Sequence, residues 1–170
     1  MAGRTVFTVL EDTAKKLGDS IALHQPVGGK GVKAYRTYTW NQWAQISREI
    51  ALGLHSMGLN NGEIVCVLSE TRAEFYLVDL GIMGAGGVSA ALYTAYPMPD
   101  LAKNIHDAAP RFLFVEDSKT LAALAAAIEK RGDALPQHVI VMTGEAPGAI
   151  SLADLQERLS KGRAKLHILQ

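Results

Sequence analysis

The sequence predicts an α/β fold, a mostly parallel sheet with helices on both faces, and three observations carry that reading. Short, nearly all-apolar segments (Ile64–Leu68, Val88–Tyr93, Phe112–Val115, Val139–Met142) alternate with longer segments whose apolar residues recur at helical spacing. Strands that are apolar throughout belong in a sheet covered on both sides. The 170 residues, 48% of them hydrophobic and 20% charged, suit one globular domain spanning 1–170 with a real core.

The elements follow in order. Thr5 to Leu17 carries Val6, Val9, Leu10, Ala14 and Leu17 on one helical stripe, stopped by Gly18-Asp19. Ile21–Leu23 and Tyr35–Tyr38 read as the two strands of a hairpin, with a turn over 26–33 that contains Gly28, Gly29 and Gly31. Thr39 and Gln42 have capping-box spacing at the start of a helix that runs through Trp40, Trp43, Ala44, Ile50, Ala51 and Leu54 to a stop at Gly58. The two tryptophans on one face predict core packing. After the strand Ile64–Leu68, Thr71 and Glu74 give a second capping-box spacing. The helix that follows, through Met83, is apolar on nearly every side and is expected between layers. Pro99 suits a helical first turn, with Leu101, Ile105 and Ala108 on its face and Pro110 at its end. Ser118 opens an alanine-rich helix with Leu121, Leu124 and Ile128, closed by Gly132. Ser151 opens a last helix with Leu152, Leu155 and Leu159, ended by Gly162.

Charge and cysteine content narrow the function classes. Seventeen basic and seventeen acidic residues leave a formal net charge of zero, so there is no electrostatic footprint for nucleic acid. The cations of Glu129-Lys130-Arg131 end a helix and complement its dipole. Cys66, the only cysteine, sits within an apolar strand and reads as an inert core thiol, in keeping with a reducing cytoplasm. Phe75 to Tyr93 is nearly uncharged and approaches membrane-spanning length. Asp79 within it and Gly81, Gly84, Gly86 and Gly87 argue instead for a helix, a tight turn and a strand.

Motifs for catalysis are missing from the residues themselves. Gly29-Lys30-Gly31 fails the Walker spacing. Gly84-Ala85-Gly86-Gly87 runs from helix to strand, the wrong polarity for a dinucleotide loop, which must open a helix so that its dipole faces the phosphates. The histidines (His24, His55, His106, His138, His167) show no metal-ligand spacing, and His106-Asp107 are expected on different helix faces. Glu70, Glu74 and Asp79 bracket a helix start and read as dipole partners. No catalytic and no metal-binding residue is predicted.

The order of segments is more telling. Tyr38-Thr39-Trp40 opens a helix ending in Gly53-Leu54-His55-Ser56-Met57-Gly58-Leu59. Asn61-Gly62-Glu63 leads into Ile64–Leu68 and then Ser69-Glu70-Thr71-Arg72-Ala73-Glu74-Phe75. Asp79-Leu80-Gly81-Ile82-Met83-Gly84-Ala85-Gly86-Gly87 leads into Val88–Leu92 and Tyr93-Thr94, and Phe112-Leu113-Phe114-Val115-Glu116-Asp117 closes the series. From Thr5 to Met142 this succession resembles the N-terminal region of adenylate-forming acyl-CoA synthetases. The Ser69–Phe75 and Leu92–Thr94 runs resemble the long-chain fatty acid branch most; Ala91 departs from the proline expected in many relatives.

The resemblance implies an incomplete part of the large N-terminal, AMP-binding domain. Intact relatives use ATP with Mg2+ to form an acyl-adenylate from a fatty acid, then transfer the acyl group to coenzyme A. Their phosphate loop, adenine-binding segment, ribose-binding aspartate and catalytic lysine lie downstream of the matched region. The expectation is therefore an inactive N-terminal piece of a fatty acid–CoA ligase, with no cofactor bound by this chain alone. A stand-alone binding module and one chain of a split ligase are the alternatives. Tyr93 and Thr94, after a strand, are the candidates for approaching the cleft. The resemblance further implies a cytoplasmic protein without a transmembrane segment, compatible with peripheral membrane contact, and self-association through apolar surface where the rest of the domain packs.

Overall fold

The computed structural model describes residues 4–27 and 34–158. Its elements are α1 (Val6–Leu17), β1 (Ile21–Val27), β2 (Ala34–Thr39), α2 (Trp40–Ser56), β3 (Ile64–Leu68), α3 (Ala73–Gly84), β4 (Val88–Leu92), α4 (Met98–Ala108), β5 (Phe112–Asp117), α5 (Ser118–Lys130), β6 (His138–Thr143) and β7 (Ile150–Ser151), with residues 152–158 helical. β1 and β2 form an antiparallel hairpin. The other five strands form one parallel sheet in the order β4-β3-β5-β6-β7.

That order explains where the helices go. The chain steps from β3 outward to β4, then crosses back over β3 to β5 and continues the other way. Right-handed crossovers in opposite directions put their helices on opposite faces. The burial pattern agrees, because alternate strand residues face opposite layers. Val65, Val67, Phe112, Phe114 and Ile140 meet Ile50 and Leu54 of α2 and Leu77, Val78 and Ile82 of α3. Cys66, Leu68, Leu113, Val115, Val139 and Val141 meet Leu101 and Ile105 of α4 and Leu121, Leu124 and Ile128 of α5. The α/β class with a parallel sheet covered on both faces is the observed architecture.

α3 shows why its sequence is apolar all round. One side packs on the sheet, another on α2 and a third near α1, whose Leu10 and Ala14 join Ala44 and Leu80 in a separate cluster with Trp40 and Trp43. The two indoles stack with centroids 5.3 Å apart and pack, only partly buried, against the edge of that cluster, not inside the core as their spacing suggested. Close helix packing depends on Gly81, where a Cβ would come within 2.6 Å of the Ile50 side chain. The Gly84–Gly87 segment is the turn from α3 into β4, and Gly86 takes φ +83° there.

Several expectations are corrected in detail. The hairpin strands and β5 are longer than their apolar cores suggested, because backbone pairing continues through polar residues such as Gln25, Arg36 and Asp117. The Thr39–Gln42 capping box forms. The Thr71–Glu74 box does not: α3 starts after Arg72, and the Ala73 N–H donates to the Gln25 side-chain oxygen at 2.8 Å. Ser151 caps the last helix through the Asp154 N–H, and it also ends β7, a two-residue strand too short to read from periodicity. The predicted turn residues Gly28, Gly29 and Gly31, and Leu159 and Gly162 of the last helix, lie outside the described residues. Among the described residues no helix is long and apolar enough to cross a membrane.

Candidate functional site

In a doubly wound sheet, ligands bind outside the carboxyl ends of the strands where the winding reverses direction. Here the reversal lies between β3 and β5, whose carboxyl ends carry Ser69-Glu70 and Glu116-Asp117. Glu116 bridges the two. Its Oε2 accepts from the Glu70 N–H at 2.8 Å and from Ser69 Oγ at 3.2 Å, and its Oε1 accepts from Arg72 Nη1 at 3.1 Å. Arg72 turns its Nε to Glu74 Oε2 at 2.8 Å. Arg36, from the hairpin, reaches the other oxygen of Glu74 at 3.6 Å. A chain of alternating charge thus runs from β2 through the start of α3 to the end of β5.

Burial sets the electrostatics. Glu74 is 6% exposed. Burial pushes its carboxyl up, but the hydrogen bond from Arg72 and the charges of Arg72 and Arg36 outweigh that and hold it below the ordinary 4.5. Burial works against the Arg72 cation too, and the paired Glu74 and Glu116 carboxylates still leave its pKa raised. Glu74 and Arg72 are therefore held in their charged forms, and Glu116 accepts a hydrogen bond from the same guanidinium.

Beside this network two shallow cavities open. One, of about 210 Å3, is lined by Leu68, Ser69, Glu70, Thr94, Met98 and Glu116, among others. The second, of about 240 Å3, lies over β4 and includes Thr71, Phe75, Leu92, Tyr93 and Thr94. Thr94 lines both and donates from Oγ1 to Glu70 Oε1 at 2.6 Å. Tyr93 lines only the second; it is 67% exposed, with its ring edge-to-face on Tyr96 at 5.5 Å. The two residues singled out in the sequence thus stand on the carboxyl side of β4, together with Glu70.

Sequence reasoning missed Arg36, Arg72 and Glu116 as one group. Arg72 and Glu116 are far apart in the chain, and no local spacing signals their meeting. The visible hint was a buried-type segment that nevertheless carries Glu74. His106 does not face Asp107; its Nδ1 lies 3.2 Å from Asp133 Oδ1, and Asp107 pairs with Lys103. Cys66 is fully buried and its thiol is pushed up to about 11 by burial, as befits an inert residue.

A magnesium–nucleotide group finds no matching donor set in this crevice. Among the described residues no three of His, Cys, Asp and Glu come together to hold a metal ion. Glu74 and Glu116 are already spent on Arg72, and that guanidinium is neutralised by them.

Comparison with known proteins decides the family. Residues 10–165 match the AMP-binding enzyme family. The chain belongs to this family. Among curated proteins, an uncharacterized protein of Mycobacterium tuberculosis is 25% identical over 143 residues, covering 84% of this chain and 75% of its own length. A 4-coumarate–CoA ligase-like protein of Oryza sativa subsp. japonica is 29% identical over 150 residues, which is 88% of this chain but 25% of that protein. An anthranilate CoA ligase solved with anthranoyl-AMP superposes with a TM-score of 0.76 at 23% identity, over 91% of this chain and 28% of that one. The fold of this member of the AMP-binding enzyme family is that of the N-terminal region of adenylate-forming ligases, and the chain spans about a quarter of the length of such ligases.

Proposed function

We propose that this chain supplies the N-terminal scaffold of a fatty acid–CoA ligase. In that reaction a carboxylate oxygen attacks the α-phosphorus of ATP, giving an acyl-adenylate and pyrophosphate. The thiol of coenzyme A then displaces AMP to give the thioester. The family match over residues 10–165 carries this reading. The long-chain assignment rests on the resemblance of Ser69–Phe75 and Leu92–Thr94 to that branch. Tyr93 and Thr94 border the cleft on the carboxyl side of the sheet, and Glu116, Arg72 and Glu74 hold the β3–α3 loop behind it in one conformation. On this reading the chain is scaffold, and the catalytic groups come from elsewhere in the ligase. It works in the cytoplasm, and its apolar outer surface, including Val88 and Tyr93 along β4, mediates self-association when nothing covers it.

The test is to sequence the coding nucleic acid beyond codon 170 and assay the product of the whole frame. The reading requires a downstream Ser/Thr/Gly-rich loop ending in lysine and palmitate-dependent ATP–pyrophosphate exchange by the whole product. A continuous frame whose product performs no exchange with any fatty acid overturns it.

A second reading has one observation in its favour. The Mycobacterium tuberculosis relative matches over three quarters of its own length, so a chain of modest size can consist mainly of this unit. On that reading the chain is a stand-alone α/β binding module, or one chain of a split ligase. A stop codon directly after Gln170 favours it, and recovery of exchange activity on adding a co-purifying partner separates the split ligase from the module.

A further inference from the structure

β4 is an edge strand. It pairs with β3, and among the described residues no strand pairs with its other side. The Val88 N–H donates inward, to the Glu63 carbonyl at 2.8 Å. Along a strand in such a ladder, successive residues turn their backbone groups to opposite sides. Ala90 and Leu92 therefore also turn theirs toward β3, while Ser89 and Ala91 direct N–H and C=O outward. Natural edges are blunted by charge, by proline or by a bulge. This one has none of these. No charged residue occurs from Leu80 to Pro99, the first proline after the strand is Pro97, and the register with β3 is regular from Val88 to Leu92. Val88 at one end and Tyr93 just past the other are 50% and 67% exposed.

The edge is complementary to itself. Turned about a two-fold axis at Ala90, perpendicular to the sheet, a second β4 runs antiparallel and sets Ser89 opposite the partner's Ala91. Each outward N–H then meets an outward carbonyl. Ala90 meets its own copy as a non-hydrogen-bonded pair, the closest pairing in an antiparallel ladder at about 4.5 Å between Cα atoms, and a methyl group fits there. Val88 stands opposite the partner's Leu92. Gly87 stands opposite the partner's Tyr93, which gives that exposed ring a bare backbone to cover. A chain of zero formal charge with an uncharged edge brings two copies together without like-charge repulsion along the strands. A two-fold copy is the occupant that presents this same pattern in reverse.

We propose that β4 pairs antiparallel with β4 of a second copy of this chain, about a two-fold axis at Ala90, and joins two five-stranded sheets into one continuous sheet. The pairing rests on the self-association proposed above and deepens it by giving it a surface and a register. It does not depend on the ligase chemistry.

The test is sedimentation equilibrium of the 170-residue chain from micromolar to near-millimolar concentration, with amide hydrogen exchange read at the same concentrations. A monomer–dimer equilibrium is expected, in which the Ser89 and Ala91 amides gain protection as dimer forms and the Val88, Ala90 and Leu92 amides, already paired with β3, change least. Ala91→Pro removes the outward donor from both copies, and an edge strand tolerates proline at such a position. It is expected to weaken the dimer about thirtyfold, the effect of two net hydrogen bonds. A dimer whose Ser89 and Ala91 amides exchange as fast as in the monomer overturns the pairing but leaves self-association standing. A monomer throughout overturns both. Protection of the two amides that does not depend on concentration means that the chain covers its own edge, and overturns the pairing as well. Exchange in the unaltered chain decides by itself should Ala91→Pro fail to fold. Palmitate-dependent exchange by the whole frame, the test of the ligase reading, moves with none of these outcomes.

Discussion

At the carboxyl end of the sheet, Glu74 is almost wholly buried and divides its two oxygens between Arg72 and Arg36, while Arg72 also holds Glu116 across the β3–β5 gap. At the amino end the charged groups are half open. Arg111 donates to the Gly58 carbonyl at 2.7 Å and stands 3.5 Å from Glu63, both side chains about a third exposed, and His106 reaches Asp133 from a side chain that is 54% exposed. The contrast teaches where the fold takes on electrostatic cost. Desolvated, mutually dependent charges are concentrated where the winding reverses and loops must be held still; solvated pairs suffice where the chain only turns back. Removing one partner of a buried pair strands the other, whereas removing a solvated partner lets water take its place.

The comparison breaks most visibly at Glu74. Glu74→Ala leaves Arg72 half-buried with one partner fewer and is expected to cost about 3 kcal/mol, or roughly 6–12 °C in Tm. Urea denaturation with an unchanged m-value measures it; a loss below about 1 kcal/mol would mean that the network is as solvated as the amino end.

Acid sharpens the same point. The Glu74 carboxyl is held below its ordinary 4.5 in the folded chain, so its stabilising contribution is complete above that pH and is lost as pH falls through the folded value. Denaturation midpoints followed from neutral pH downward should therefore show a decline below about 4.5 that is shallower in Glu74→Gln. Parallel curves for the two proteins would place the acid sensitivity elsewhere.

At the amino end the expected effects are smaller. Arg111→Ala gives up the hydrogen bond to the Gly58 carbonyl and should cost about 1 kcal/mol. His106→Gln should stay within about 0.5 kcal/mol of the unaltered chain, since an exposed pair contributes little. Thermal unfolding of both variants side by side checks the ranking; a His106 effect larger than that of Arg111 would reverse the description of this end.

Much of the fold was legible because the signals are local. Ile64–Leu68 declares a buried strand by composition, Gly58 and Gly132 end helices by conformation, and the all-round apolar α3 announces layers on more than one side. What stayed hidden is non-local. β7 has two residues and exists through its pairing with β6, which no periodicity reports. Glu74 and Thr71 fit a capping box in spacing, but a buried carboxylate facing two arginines gains more from them than from a backbone N–H. The site was legible only in outline: Tyr93 and Thr94 could be placed after a strand, but Glu116, joined to Arg72 across 44 residues, and His106 paired with Asp133 instead of Asp107, depend on how strands and helix ends meet in space.

The scaffold role proposed for this chain implies that it does not catalyse the reaction alone. The measurement is fatty-acid-dependent ATP–pyrophosphate exchange by the purified 170-residue chain, with palmitate as substrate and a matched protein-free blank. The account predicts exchange no greater than the blank. Clear palmitate-dependent exchange by the chain alone would contradict it, and would place a phosphate-handling group within this chain.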